Sequence, residues 1–216
     1  SREFTNATLT HQQLSDMLWI ACGYNRPDKR TVATALNRQE MSAYVITPEA
    51  VYRYEPKENK LIHINSGDHR SVSAMQDYAK EAPLTVALVA DLAKQDKDIF
   101  AGKTVGAMSN NIYLWCASEG LKTVVRASFD QEGLKKALKL NDKETVLLVQ
   151  TVGKYSNAHL SSMKNLYISL ALALCSTLLV GCDAPENGDG PVKIINMTKS
   201  NKTANNGNEN FVYNVK

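Results

Sequence analysis

Several features that would identify a function directly are missing from this chain of 216 residues. The four cysteines and four histidines are dispersed along the sequence and form none of the spacings that metal sites use. Two of the cysteines, Cys175 and Cys182, belong to an apolar segment near the C-terminus, so the cysteines imply no disulfide framework. The formal net charge is only +3, and the lysines and arginines are scattered among acidic residues. We therefore expect neither a metal centre nor a nucleic-acid-binding surface.

The common glycine-containing catalytic motifs are also missing. The sequence has no G-x-G-x-x-G and no G-x-S-x-G. G-K-T at 102–104 is similar to the end of a phosphate-binding loop, but the glycine that must begin that loop is replaced by Lys97. Ser161 and Lys164 form an S-x-x-K pair without a second supporting motif. The composition, 44% hydrophobic and 22% charged, is that of an ordinary globular protein with one domain, or with one domain and an appendage.

Helical and strand patterns are mixed along the chain, which predicts an α+β fold. T-H-Q-Q at 10–13 matches a capping box and starts a helix, whereas residues 22–30 have the composition of a loop. The continuous apolar run at 84–90 predicts a strand buried on both faces. The predicted helices cover about 11–21, 71–80, 103–118 and 131–138. The predicted strands cover 43–47, 51–54, 61–64, 84–90, 123–125 and 145–152.

Four short stretches spread over residues 1–154 carry a resemblance to a known family. They are S-R-E-F at 1–4, R-T-V-A-T-A-L-N-R-Q-E at 30–40, A-S-E-G-L-K-T-V-V-R-A-S-F-D at 117–130 and V-L-L-V-Q-T-V-G-K at 146–154. In this order and spacing they resemble the nitroreductase family of FMN-dependent oxidoreductases, particularly its short bacterial members. The likeness covers nearly all of residues 1–154, and nothing after Lys154 shares it.

The resemblance implies an α+β homodimer, with a central mixed or antiparallel sheet flanked by helices and one FMN in each of two sites at the dimer interface. Such a site needs cations for the phosphate and for the charge on the reduced flavin, and a donor near flavin N5. Arg2 falls on the last arginine of the family's N-terminal R-x-S-x-R motif, where it would contact the flavin or its ribityl chain; the motif's first arginine and its serine would precede residue 1. Thr34 and Asn37 match the family's S-x-x-N stretch, which often approaches the cofactor held mainly by the partner subunit. Here Thr34 replaces the usual serine and Ala33 a common proline.

Three further cofactor-binding residues follow from the same resemblance. Arg126 and Ala127 fall where relatives commonly have Arg-Gly beside flavin N5, and the backbone N–H of Ala127 is the implied donor. Alanine keeps that N–H but has less backbone freedom than glycine. Lys154 would serve the phosphate, although the family's usual Gly-Tyr-Pro ending is missing there.

Simpler structural interpretations of these residues remain open. Arg2 and Lys154 can be solvated chain ends, Asn37 a turn residue and Arg126 a cation on a surface strand.

The reaction implied by the resemblance is a ping-pong hydride transfer from NAD(P)H, the co-substrate, through the flavin to an organic acceptor such as a nitroaromatic or a quinone. Because the flavin carries the chemistry, no catalytic acid or base from the protein is expected. Trp115 and Tyr113 are expected in the core, not as flavin stackers. The alternatives are a non-catalytic flavin-binding protein on the same fold and a membrane-associated lipoprotein.

The lipoprotein alternative comes from residues 163–182, which have a basic start, an apolar run and a small residue before Cys182, as in a lipoprotein signal peptide. A buried core helix is the competing interpretation. We prefer a third, that this segment begins a different product joined near Ser162, and therefore do not use it to assign a compartment. A cytoplasmic enzyme is slightly favoured over a periplasmic or lipid-anchored one. Residues 155–162 are predicted to be a linker and residues 183–216 a disordered tail.

Overall fold

The structure is a computed structural model that describes residues 2–154. They form a six-stranded sheet with helices and a separate two-stranded hairpin, which confirms the α+β prediction. No helix in this part of the chain is long and apolar enough to cross a membrane. The predictions made for 155–162, 163–182 and 183–216 lie outside the described residues.

Strands dominate the first half of the described chain, and helices and strands alternate from Asp77 onward. The helices are α1 (His11–Cys22), α2 (Asp77–Lys80), α3 (Asp98–Ser118) and α4 (Gln131–Ala137), with 3-10 turns at Ala35–Asn37 and Arg70–Ser73. The strands are β1 (Tyr24–Arg26), β2 (Lys29–Arg30), β3 (Met41–Ile46), β4 (Ala50–Glu55), β5 (Lys60–Ser66), β6 (Leu84–Asp91), β7 (Lys122–Arg126) and β8 (Glu144–Gly153). The order in the large sheet is β5-β4-β3-β6-β8-β7, and all of its neighbouring strands are antiparallel.

The predicted capping box begins α1. The Thr10 hydroxyl accepts the Gln13 N–H and the Gln13 side chain accepts the Thr10 N–H, both at 3.1 Å. These two bonds satisfy N–H groups that have no partner within the helix. The helix buries Met17 and Leu18 against the sheet.

The strand predicted to be buried on both faces is β6, at the centre of the sheet. Its first seven residues are buried, which confirms the prediction. One face of the sheet packs under α1 and α3 and includes Leu88. The other face packs under α4, where Leu134 and Leu138 are buried. Each fully buried side chain of this size contributes about 1.5–3 kcal/mol.

The longest helix, α3, begins five residues before its predicted start, at Asp98. Its buried stripe includes Met108, Ile112 and Trp115, as predicted. Gly120, predicted to stop the helix, has a φ of +66°, a backbone conformation that glycine adopts without strain.

Two secondary-structure predictions are wrong. Residues 22–30 are not simply a loop, because β1 and β2 form a short hairpin whose turn contains Pro27 and Asp28. Residues 71–80 do not form one helix. Ala74 is extended (φ −147°, ψ 127°) and separates a 3-10 turn from the single turn of α2.

The two cysteines of the described chain give a direct test of core packing. Cys22 and Cys116 are buried, and burial raises the pKa of each thiol from 9.0 to about 12. Since the thiolate is the reactive form, we expect neither to react with iodoacetamide in the folded protein at about pH 8. Both should react in concentrated urea, as measured by mass spectrometry of tryptic peptides. Equal labelling before and after denaturation would contradict the packing described here.

Candidate functional site

The sequence-predicted site residues fall into groups that the sheet separates. β3 begins at Met41, which pairs with Ala90 of β6, and Ala90 pairs with Thr145 near the start of β8. β8 then runs eight residues further to Gly153. With a rise of about 3.3 Å per residue, these two ends of the sheet are about 25 Å apart. We call them the Met41 end and the Gly153 end.

Arg2 and Lys154 come from the two extremes of the described chain to the Gly153 end. The Thr5 N–H donates to the Lys154 carbonyl at 2.9 Å. Phe4 packs on Gly153 so closely that a Cβ at that glycine would lie 3.0 Å from Phe4 Cδ1. The N-terminal segment is therefore docked on the end of β8, with Arg2 exposed and Lys154 half-buried. Lys154, and Arg2 three residues before Thr5, are cations of the kind that a phosphate site requires.

A polar cavity of about 500 Å³ opens at the same end of the sheet. It is lined by Asn6, Pro48, Arg70, Lys80, Glu81 and Pro83. Arg70 is already compensated by Asp68, with N···O distances of 2.7 and 2.9 Å, and this guanidinium lowers the pKa of the Asp68 carboxyl. Because Arg70 is paired with Asp68, it adds little positive charge to the cavity, which is mainly a space beside the N-terminal segment.

Arg126, the last residue of β7, is buried and has no ion-pair partner among residues 2–154. Its guanidinium makes two hydrogen bonds, each of 2.7 Å. Nη1 donates to the carbonyl of Ser73, in the 3-10 turn Arg70–Ser73, and Nη2 donates to the hydroxyl of Thr151 in β8. Nε is buried and has no acceptor within the described chain. Burial lowers the pKa of the guanidinium, and Tyr78 nearby opposes this shift. At 6% exposure Arg126 is not the surface cation of the simpler interpretation.

Ala127 follows Arg126 directly and is exposed at the end of the edge strand. A planar ligand with a polar edge needs accessible hydrogen-bonding groups along that edge, together with cations for a phosphate. The Gly153 end and the edge strand therefore supply the kinds of group that FMN requires.

Thr34 and Asn37 lie in the loop before β3, at the Met41 end. The Thr34 hydroxyl accepts the Gln39 N–H at 2.9 Å, and the Asn37 amide donates to the Asp28 carbonyl at 3.0 Å. Leu36, Asn37 and Gln39 all have φ between +52° and +54°, in the left-handed region that non-glycine residues rarely adopt. Asn37 is thus a turn residue within its own chain. These contacts do not test the predicted contact of Asn37 with a cofactor.

Only part of the predicted site is therefore brought together within one chain. Arg2 and Lys154 share the Gly153 end, and Arg126 with Ala127 lies partway along the edge strand, opposite Val149. Thr34 and Asn37 lie at the other end of the sheet.

The two aromatic residues expected in the core differ in outcome. Trp115 is 6% exposed and belongs to the core, as predicted. Tyr113 is 37% exposed, so that prediction is wrong. The Tyr113 hydroxyl instead accepts the Val125 N–H of β7 at 2.9 Å and caps the edge strand from outside.

Sequence reasoning missed the partners of Arg126. Thr151 is a buried polar residue of β8, and its place within the largely apolar run of that strand could have indicated a role in the sheet. Ser73 had no such signal, because residues 71–80 read as one helix. Its carbonyl becomes available only where that segment is extended at Ala74.

The architecture is an α+β fold with a six-stranded antiparallel sheet and helices on both of its faces. Comparison with known proteins makes the class specific. The sequence model of the nitroreductase family matches residues 1–154, and the chain belongs to this family.

Individual relatives agree with the family match. A protein of Methanocaldococcus jannaschii described as a nitroreductase is 27% identical over 172 residues, covering 71% of this chain and 85% of the relative. A crystal structure from Ralstonia eutropha, also described as a nitroreductase, is 35% identical, covers 72% of this chain and 78% of that one, and gives a TM-score of 0.68. An FMN-dependent nitroreductase from Clostridium difficile shares the fold, with 15% identity, a TM-score of 0.53 and coverage of 72% and 82%.

Proposed function

We propose that this protein is an FMN-dependent oxidoreductase that transfers hydride from NAD(P)H to an organic acceptor such as a nitroaromatic or a quinone. The observation that carries the proposal is the docking of the N-terminal segment on β8, which brings Arg2 and Lys154 to one surface in a chain of the nitroreductase family. When bound, FMN would supply the hydride chemistry. The name of the Clostridium difficile neighbour supports FMN as the cofactor.

The proposed role of each residue takes account of its position. Lys154 would bind the phosphate and Arg2 would contact the flavin or its ribityl chain, since both present cations at the Gly153 end. The Ala127 N–H would donate to the ring, since Ala127 is exposed at the end of the edge strand. Thr34 and Asn37, about 25 Å from the Gly153 end, act on the cofactor of a second subunit.

We further propose that the chain works as a homodimer. The outer face of α3 supports this, because Ile99 and Leu114 on it are 63% and 64% exposed. Gly102 and Gly106 lie between them on the same helix, and a Cβ added at either would meet nothing within 4 Å. Apolar side chains beside small residues allow close approach of a second copy. An apolar groove of about 300 Å³ between α1 and α3, which includes Ile20, Leu114 and Trp115, continues this face.

Steady-state kinetics separates catalysis from flavin storage. We expect the FMN-loaded protein to oxidise NADH or NADPH with a quinone or nitroaromatic acceptor, with the parallel-line pattern of a ping-pong mechanism. A protein that binds FMN and shows no turnover with either class of acceptor would instead be the non-catalytic flavin-binding protein on the same fold.

A further inference from the structure

We propose that Arg126 is a positioning residue that clamps residues 72–75 to the edge strand and thereby fixes the Ala127 peptide, and that its guanidinium does not touch the cofactor. The inference rests on the proposed function, in which the Ala127 N–H is a donor to the flavin. It changes the expected role of Arg126, because the family resemblance alone puts Arg126 beside the ring.

The Arg126 guanidinium is held inside the protein. Both terminal nitrogens are used within the protein, by the Ser73 carbonyl and the Thr151 hydroxyl at 2.7 Å. The side chain is almost fully buried, and Arg126 lines neither of the two cavities. A cofactor lying on the surface beside Ala127 would therefore have no access to this guanidinium.

Residues 126, 128 and 130 all contact the segment 72–75. Arg126 reaches Ser73, the Ser128 hydroxyl lies 3.3 Å from the sulfur of Met75, and the Asp130 N–H donates to the Val72 carbonyl at 3.1 Å. Every second residue from 126 to 130 thus contacts residues 72–75, which lie outside the long helices and the strands of the described chain.

Ala127 lies between Arg126 and Ser128, which both contact residues 72–75, and is itself exposed. Contacts on both sides of this peptide hold its N–H in one orientation. The donor is therefore already oriented before the ligand binds. Arginine suits the clamp because its planar fork reaches two acceptors that diverge, whereas lysine offers a single point of attachment.

Hydrogen exchange on the full chain without added flavin tests the clamp alone. In Arg126→Met, amide exchange in residues 72–75 and at Asp130, whose N–H donates to the Val72 carbonyl, should be at least about tenfold faster than in the wild type, with α3 and β6 unchanged. Arg126→Lys should recover part of the protection. Thr123→Val is the matched control. It removes a different buried hydrogen bond to β8, from the Thr123 hydroxyl to the Thr151 carbonyl, and leaves both acceptors of Arg126 in place. Unchanged exchange in Arg126→Met would overturn the proposal.

Measurements with FMN distinguish positioning from direct contact. If Arg126 acts through Ala127, Arg126→Met should shift the visible spectrum of bound FMN and lower kcat by about tenfold, with a Kd for FMN within about threefold of wild type. A loss of FMN affinity of about a hundredfold without faster exchange in 72–75 would show that the guanidinium binds the cofactor directly, and would overturn the clamp. If the wild type binds no FMN but exchange responds as expected, the proposed function fails and the clamp stands.

Discussion

Mixing two inactive variants should restore about a quarter of wild-type activity, because random reassortment of a two-fold dimer makes half of the molecules heterodimers with one intact site each. The first variant carries Arg2→Ala and Lys154→Ala, at the Gly153 end. The second carries Thr34→Val and Asn37→Ala, at the Met41 end. Removing two charge-assisted contacts in the first variant should weaken FMN binding by about a hundredfold or more.

The recovery depends on the two groups belonging to different subunits. Within one chain the two ends of the sheet are about 25 Å apart, too far for one FMN to contact both. The matched control mixes Arg2→Ala with Lys154→Ala, which injure the same half of the site, so that every heterodimer site still has a lesion and nothing is regained. Circular dichroism must show that each variant is folded. Activity no higher than the mean of the two separate variants would mean that one chain builds the whole site.

A pair of substitutions on α3 should separate folding from assembly. Ile112 is fully buried in the core beneath α3, so Ile112→Ala should lower the free energy of unfolding by about 2–5 kcal/mol. Leu114, two residues further on, is 64% exposed, and Leu114→Ala should cost the monomer less than about 0.5 kcal/mol. Urea unfolding at low protein concentration measures both values.

The same pair tests the proposed interface. Because Leu114 lies on the face assigned to the second copy, Leu114→Ala should weaken self-association in sedimentation equilibrium. A dimer equally stable in Leu114→Ala would show that the outer face of α3 is not the interface. A small effect of Ile112→Ala on unfolding would contradict the packing of α3 on the sheet.

The parts of the fold that local chemistry determines could be predicted from the sequence. The capping box at Thr10 and Gln13 defined the start of α1, and the apolar run at 84–90 defined the central strand. Residues 71–80 were mispredicted because their composition suits a helix, whereas the extended backbone at Ala74 accompanies contacts made far along the chain. Local propensity is a weak guide where tertiary contacts decide.

In the candidate site, too, the sequence could indicate which residues take part, but not the contacts that depend on the tertiary fold. The resemblance could indicate that Arg126 and Ala127 belong near the site, since both lie in a recognisable stretch. It could not give the direction of the Arg126 side chain, because its acceptors are 53 and 25 residues away in sequence. Nor could a pattern along one chain show that Thr34 and Asn37 are separated from Lys154 by the length of the sheet, which depends on strand order and register.

Titration of the full chain with FMN, followed by anaerobic addition of NADH or NADPH, tests whether the protein is a flavin-dependent oxidoreductase. We expect a yellow protein with about one FMN bound per chain, whose absorbance near 450 nm bleaches with the reduced nicotinamide and returns with a quinone. A protein that stays colourless with added FMN, or whose bound FMN is not reduced by either nicotinamide, would contradict the proposed function.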